Sequence, residues 1–202
     1  MPLREVGLPT SVVTTSPDAF GTKIMNDPRI YIAGPDIYHP QGLEIAETKK
    51  AICARYGLEG VAPTDFLAGV QFVGKPADAA ALHRERLKIV QECDALVADM
   101  TPFRGPGMDP ATAFEMGIMA ALGKPVAGYT LDPAPYAERM ARYHAEVEEA
   151  LTRVGPRLVN PAGSVIEDFG LPEATIIAGA AMPIAQDFES AVRWVRRKLA
   201  DL

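Results

Sequence analysis

An acid in apolar company is the feature of this sequence best suited to chemistry. Glu115 sits in the run Asp109-Pro110-Ala111-Thr112-Ala113-Phe114-Glu115-Met116-Gly117-Ile118-Met119-Ala120-Ala121-Leu122-Gly123-Lys124-Pro125. Asp109 suits an N-cap, its carboxylate accepting from a free backbone N–H, and Pro110 suits the first helical position, where no donor is needed. Gly123 suits the residue just past the helix end, with Pro125 beyond it. Between these signals the helix is apolar on nearly every side, which predicts burial. The helical neighbours of Glu115 are Ala111, Thr112, Ile118 and Met119, with no cation close in sequence. A buried acid without a partner costs free energy and calls for a reason. One reason is structural: if the helix starts at Thr112, Thr112-x-x-Glu115 is a capping box. Asp109-Pro110 marks an earlier start, which leaves Glu115 in the second turn with no cap to serve and favours a catalytic carboxylate.

Asp109 is the second acid of interest. Six residues of helix advance about 9 Å and turn about 240°, so the two carboxylates do not stack on one face. They converge on a ligand if Asp109 stays in the loop and grips one end while Glu115 reaches the other. Chemistry at a glycosidic carbon divides its labour in this way. One carboxylate attacks or stabilises the sugar carbon, and a second group protonates or hydrogen-bonds the leaving base. Plain helix capping by Asp109 is compatible with that role.

Several elements must position these acids. Arg29-Ile30-Tyr31-Ile32-Ala33-Gly34-Pro35 reads as a short buried strand breaking into a turn. Residues 42–56 have helical spacing, and Gly60–Asp65 reads as a second strand ending in a polar loop. A helix over about 77–92 precedes a strand over 94–99; the helix at Asp109–Gly123 precedes a strand over 125–129. Residues 133–152 read as a charged helix and 187–200 as the last helix. Strands alternating with helices predict an α/β fold, a parallel sheet with helices on both faces. In such sheets ligands bind beyond the carboxyl ends of the strands, near the switch in strand order. Tyr31 with Gly34, Thr64 with Asp65, Asp99, and the 100–110 loop all fall at such ends.

The 202 residues suit one domain, 29–202, after an N-terminal arm or disordered leader at 1–28 that mixes Pro, Ser, Thr and Gly. A net charge of −6 argues against a nucleic-acid surface, which needs clustered Lys and Arg, and favours a small ligand. The basic run Arg193, Arg196, Arg197 and Lys198 falls at a helix end, where cations complement the dipole. Cys53 and Cys93 lie in helical patterns with neither disulfide nor metal spacing, so a cytoplasmic protein is expected. No segment has the length of a membrane span or the apolar core of a signal peptide.

An ordered set of motifs makes the reading specific. Ile30-Tyr31-Ile32-Ala33-Gly34-Pro35, Cys93-Asp94-Ala95-Leu96-Val97-Ala98-Asp99, Pro102-Phe103-Arg104-Gly105, and Asp109-x-x-Thr112-Ala113-Phe114-Glu115-x-Gly117-x5-Gly123-Lys124 occur in that order. Together with Glu167–Pro172 and Asp187–Ala191 they resemble the nucleoside 2-deoxyribosyltransferase family, most closely its branch in trypanosomatid protists. The resemblance covers about 29–200. It implies a flavodoxin-like, doubly wound parallel sheet of five short strands. It places Glu115 as the nucleophile that attacks C1′ of a 2′-deoxynucleoside, giving a covalent deoxyribosyl-enzyme that an incoming base resolves. Tyr31 falls on the tyrosine that orients the glutamate, and Asp109 on the acid that contacts the nucleobase and assists its protonation. Gly34, Pro35 and Gly105, at strand ends and in the 100–110 loop, are expected to bind substrate, and Asp65 lies in a loop that either touches the base or serves as a turn former. The resemblance implies no metal or organic cofactor, nucleoside and nucleobase as ligands, and a homo-oligomer (dimer, tetramer or hexamer) in which a neighbour completes each pocket.

Two positions depart from the family pattern. An acid or Asn that helps hold the base is Arg86 here, and the Leu-Pro-x-Asn pattern that reaches the sugar 5′ end reads Leu171-Pro172-Glu173-Ala174. An Ala side chain cannot hydrogen-bond a 5′-hydroxyl. Arg86, with Arg84, is expected to line the pocket and favour a different base or a phosphorylated sugar, or else to lie on a solvated helix face. His39, His83 and His144 lack ligand spacing and read as surface or loop residues, Asp94 as a cap at the strand start, and Trp194 as core. Three functions follow in order: deoxyribose transfer in salvage, N-glycosidic hydrolysis of deoxynucleosides or their 5′-monophosphates, and a catalytically silent sensor.

Overall fold

The computed structural model describes residues 27–67, 74–146, 150–181 and 183–201. In chain order its first half comprises β1 (Arg29–Ala33), a 3-10 turn (Pro35–Tyr38), α1 (Gly42–Arg55), β2 (Glu59–Val61), α2 (Thr64–Leu67), α3 (Pro76–Glu92) and β3 (Ala95–Asp99). Next come α4 (Pro110–Ala121), β4 (Val126–Tyr129), α5 (Tyr136–Glu146), β5 (Thr152–Val154), β6 (Arg157–Val159) and β7 (Val165–Ile166). The described chain closes with α6 (Thr175–Ala180), β8 (Ile184–Ala185) and α7 (Phe188–Ala200).

The main sheet is parallel throughout, in the order β2-β1-β3-β4-β8. This is the flavodoxin-like arrangement, and its order reverses between β1 and β3, which opens a crevice beyond their carboxyl ends. Side chains alternate across the sheet with period two. Ile30, Ile32, Ala95 and Val97 pack with Cys53 of α1 and with Phe188, Val192 and Val195 of α7. Tyr31, Ala33, Leu96 and Ala98 pack on the other face with Val90 of α3 and with Met116 and Met119 of α4. Parity within β1 therefore delivers Tyr31, 84 residues away in sequence, to the face that carries Glu115.

Local signals set the ends of α4. Asp109 is the N-cap, its Oδ2 accepting from the Thr112 N–H at 3.0 Å, and Pro110 opens the helix. Gly123, at φ +69°, turns the chain after Leu122, and the Lys124 N–H donates back to the Met119 carbonyl. Lys124 also donates through Nζ to the carbonyls of Gln91 and Cys93 at the end of α3. The ends of α3 and α4 are thereby tied together, which fixes the separation of the two helices that flank the site.

Some expectations change. The helix expected over 133–152 is shorter: α5 is described over Tyr136–Glu146, residues 150 and 151 are not helical, and Thr152 begins β5 of a small antiparallel sheet, β5-β6-β7. Charge-rich spacing suggested one long helix. Gly155, at φ +60°, and Pro156 instead close a two-residue turn between Val154 and Arg157, and the β-branched Thr152 and Val154 suit the strand. The second strand spans Glu59–Val61, and the polar loop expected after it at Thr64 and Asp65 is the short helix α2, with Asp65 Oδ2 accepting from the Ala62 N–H. His144, expected at the surface, is buried on α5, where the inward stripe of the helix carries it. The helix α4 is not buried all round: Phe114 and Leu122 are exposed while Thr112, Glu115, Met116 and Met119 face inward. Of the expected N-terminal arm, residues 1–26 lie outside the described residues.

Candidate active site

Glu115 is 3% exposed, and its two carboxylate oxygens have different surroundings. Oε1 accepts from the Tyr31 hydroxyl at 2.7 Å and from Arg86 Nε at 2.6 Å. Oε2 is buried with no hydrogen-bond partner among the described residues. The capping-box alternative is therefore absent, since Glu115 bonds Tyr31 and Arg86 and Asp109 performs the capping. Burial raises the carboxyl pKa above the ordinary range, while the Arg86 charge and the bonds from Tyr31 and Arg86 oppose that rise. Burial and the neighbouring carboxylate push the Tyr31 hydroxyl far above its ordinary value, so it stays a donor across the physiological range. The result is a desolvated carboxylate held by one oxygen with the other unbonded, the state a nucleophile needs.

Beside it lies a cavity of about 340 Å³ between α3 and α4. Leu82, Leu87 and Val90 of α3 face Ala111, Phe114 and Ile118 of α4 across it, and Glu115 and Arg86 supply its charge. Tyr38 of the 3-10 turn and His83 complete the polar lining. Of the two alternatives for Arg86, the structure has the cavity wall: its side chain is 21% exposed. Tyr31 touches the site through its hydroxyl on Glu115 without lining the cavity.

Asp109 is 4% exposed and is not part of the cavity wall, and its Oδ2 takes both the N–H and the hydroxyl of Thr112, the latter at 2.8 Å. Its carboxylate is close enough to Glu115 for the two charges to interact. The loop before it is anchored on both sides. Arg104, in the left-handed region at φ +55°, lays its guanidinium over the rings of Tyr38 and Phe103, which are themselves stacked at 5.6 Å. On the other side Glu173 Oε2 accepts the Met108 N–H at 2.9 Å and pairs with Arg139 at 3.3 Å, both side chains being buried. Arg139 also donates to the Pro172 carbonyl. This anchor was not foreseen: Glu173 occupies an unremarkable position in its motif, and its partners are distant in sequence.

Gly34 ends β1, where an added Cβ would come within 3.0 Å of Asp99 Cβ, and Pro35 opens the 3-10 turn that carries Tyr38. Gly105 lies in the anchored loop after Arg104. Asp65 is not brought into the cavity wall; its carboxylate is taken by Lys50 at 2.7 Å and by the Ala62 N–H. Thr64 is buried nearby. A polar cluster missed in the sequence sits on the opposite face of the sheet: Lys49 pairs with Asp36, and Asp99 Oδ2 accepts from the Tyr129 hydroxyl at 2.8 Å. Its signal was present, because Gly42, Ala46, Lys49 and Cys53 form the inward stripe of α1 and put a lysine in a core position. Asp94 caps the sheet start by accepting the Arg29 N–H, and Trp194 packs against the core. Among the described residues no cluster of three or more His, Cys, Asp or Glu is placed to hold a metal ion.

The sequence profile described as nucleoside 2-deoxyribosyltransferase matches residues 30–176, a span that holds Tyr31, Arg86, Asp109 and Glu115. The chain belongs to that family. Nucleoside 2-deoxyribosyltransferases are glycosyl-transferring enzymes that act on nucleosides and bases, and the anchored loop and carboxylate described above lie within the family's span. An uncharacterized protein of Schizosaccharomyces pombe is 36% identical over 144 residues, 70% of this chain and 67% of that protein. A 2-deoxyribosyltransferase from Leishmania mexicana superposes with a TM-score of 0.63 at 26% identity, covering 84% of this chain and 97% of that one. A conserved protein from Enterococcus faecalis shares the fold, with a TM-score of 0.52 at 16% identity, covering 85% of this chain and 98% of that one.

Proposed function

We propose that this protein moves 2-deoxyribose between nucleobases by double displacement at Glu115, serving nucleoside salvage. The observation that carries this reading is the asymmetry of the Glu115 carboxylate, with Oε1 held by Tyr31 and Arg86 and Oε2 buried and unbonded. In the first half, Oε2 forms a bond to C1′ as the bond from C1′ to the base nitrogen breaks. The electron pair leaves with the base, and a proton reaches that base by way of Asp109. In the second half, a nitrogen of the incoming base attacks C1′ and gives up its proton by way of Asp109, the ester bond to Glu115 breaks, and the carboxylate is regenerated. Two inversions give net retention. Tyr31 stays protonated throughout and holds the carboxylate in line.

Water competes with the second base for the same ester, so hydrolysis is the alternative outcome. It is favoured by Ala174, which offers no side-chain hydrogen bond to a sugar 5′ end. Deoxyuridine or deoxyinosine is incubated with and without a different free base, and products are separated by chromatography. A new deoxynucleoside that depends on the added base supports transfer. Base release at the same rate with or without acceptor makes the protein an N-glycosidase, and no turnover defeats both.

We further infer a homo-oligomer in which a neighbour closes the cavity, a reading supported by the exposure of Phe114 on α4, of Leu122 just past its end and of Ile176 on α6. Sedimentation as a monomer at micromolar concentration overturns it. A cytoplasmic location is supported by Cys53 and Cys93, both buried as free thiols. No helix among the described residues is long and apolar enough to cross a membrane.

A further inference from the structure

Arg86 does more than pair with the nucleophile. Its Nε is committed to Glu115 Oε1, with the Tyr31 hydroxyl at 3.4 Å, while its two terminal nitrogens make no hydrogen bond among the described residues. Arg86 lines the cavity and is partly exposed, so this unused edge opens on the space between α3 and α4. A guanidinium is a few ångströms across and its Nε lies 2.6 Å from Glu115 Oε1, so on the glycosyl-transfer reading its free donors come beside the sugar carbon and the leaving group. The walls around that edge are apolar, with Leu82, Leu87, Phe114 and Ile118, and suit a flat aromatic ring.

Resting on the glycosyl-transfer reading, we propose that Arg86 makes this cavity a base subsite selective for 6-oxopurines, hypoxanthine and guanine, over adenine. A guanidinium only donates, and its fork matches two acceptors side by side on one planar edge. A 6-oxopurine presents such a pair, O6 and N7, whereas adenine presents N7 beside an amino donor. Against adenine, one Arg86 N–H meets an N–H and one buried hydrogen bond is lost. The remaining polar groups on the wall are Tyr38, His83 and Glu115, and Glu115 is engaged by the sugar carbon.

Charge bookkeeping during the reaction points the same way. When Glu115 becomes an ester it loses its negative charge, and the electron pair of the broken bond goes to the base. Arg86 begins paired with the carboxylate. In the first half-reaction, before the proton reaches the base by way of Asp109, negative charge develops on the departing purine, which spreads it toward N7 and O6 where the free donors lie. Arg86 thus passes from one anion to the other without leaving its place.

Calorimetric titration of the whole protein with hypoxanthine and with adenine reads the subsite without needing turnover. The native protein is expected to bind hypoxanthine about 10-fold or more tighter. Arg86→Gln cancels or reverses the preference, since Gln pairs with the adenine edge. Arg86→Lys keeps the charge but loses the fork and recovers little of it. Equal affinities, tighter adenine, no binding of hypoxanthine, or a preference that survives Arg86→Gln each overturn the proposal. If the Gln variant does not fold, the native and Lys proteins decide by the same criteria. The transfer assay on the same native protein separates the two readings. Selective binding without turnover leaves the subsite standing and defeats glycosyl transfer, and turnover without selective binding does the reverse.

Discussion

Two Arg–Glu pairs among the described residues have a buried carboxylate, and they are built to opposite ends. In the pair of Arg139 and Glu173 both side chains are nearly sealed from solvent, and the carboxylate is fully used: Oε2 takes Met108 N–H and Arg139, and Oε1 takes Ala174 N–H. In the pair of Arg86 and Glu115 the cation reaches the cavity and one carboxylate oxygen has no partner. A satisfied buried carboxylate is inert and serves to fix a loop, while a half-satisfied one stores reactivity at a cost in stability. The difference teaches where to look for chemistry: at the acid whose bonding is incomplete.

The largest expected break in this comparison is at Glu115. Glu115→Ala lowers transfer by about 10⁴-fold or more, measured as initial rate of new nucleoside, while the protein remains folded. The raised pKa of Glu115 has a consequence for stability. The folded state binds its proton more tightly than the unfolded state, so stability from this group is present below the unfolded pKa and lost as pH rises through the folded one. At pH 7 the uncharged Glu115→Gln protein therefore melts at or above the native temperature in a thermal scan. Glu173→Ala does the opposite. It leaves the buried Arg139 charge without its counter-ion and the Met108 N–H without an acceptor, and costs about 3 kcal/mol or more of unfolding free energy, read by urea titration.

A smaller effect is expected from the donors on Oε1. Tyr31→Phe removes one hydrogen bond to the carboxylate and lowers kcat by about 10-fold, with KM little changed. Because both Tyr31 and Arg86 hold the Glu115 pKa down against burial, Tyr31→Phe and Arg86→Gln each move the acid limb of the kcat profile to higher pH. An acid limb that stays in place or moves down contradicts the assigned roles. The smallest effect is at the cap: Thr112→Val removes the hydroxyl bond to Asp109 and costs about 1 kcal/mol of stability by the same urea titration.

What the sequence disclosed follows the range of each signal. The start of α4 at Asp109-Pro110 and its stop at Gly123 rest on the backbone chemistry of adjacent residues, and both ends stand where the sequence placed them. The alternation of strands and helices yields the parallel sheet, but β8 has two residues and no periodicity to read. The hairpin around Gly155-Pro156 was missed, because its two strands are three residues each and the charge spacing before it resembles a helix as far as Thr152. In the candidate site, Glu115 was visible as an acid among apolar residues. Its bond to Arg86 was not, since that depends on how α3 packs against α4 and on Lys124 tying their ends. The same holds for Glu173, whose partners Met108 and Arg139 are brought to it by tertiary structure alone.

The central claim is that the unbonded oxygen of Glu115 forms a covalent bond to the sugar. Incubating the protein with a 2-deoxy-2-fluoro nucleoside slows release of the glycosyl-enzyme, and mass spectrometry of the digested protein then locates the added sugar. The account predicts one sugar per chain, on the peptide bearing Glu115. Label on another side chain, or base released with no labelled protein at any time, contradicts it.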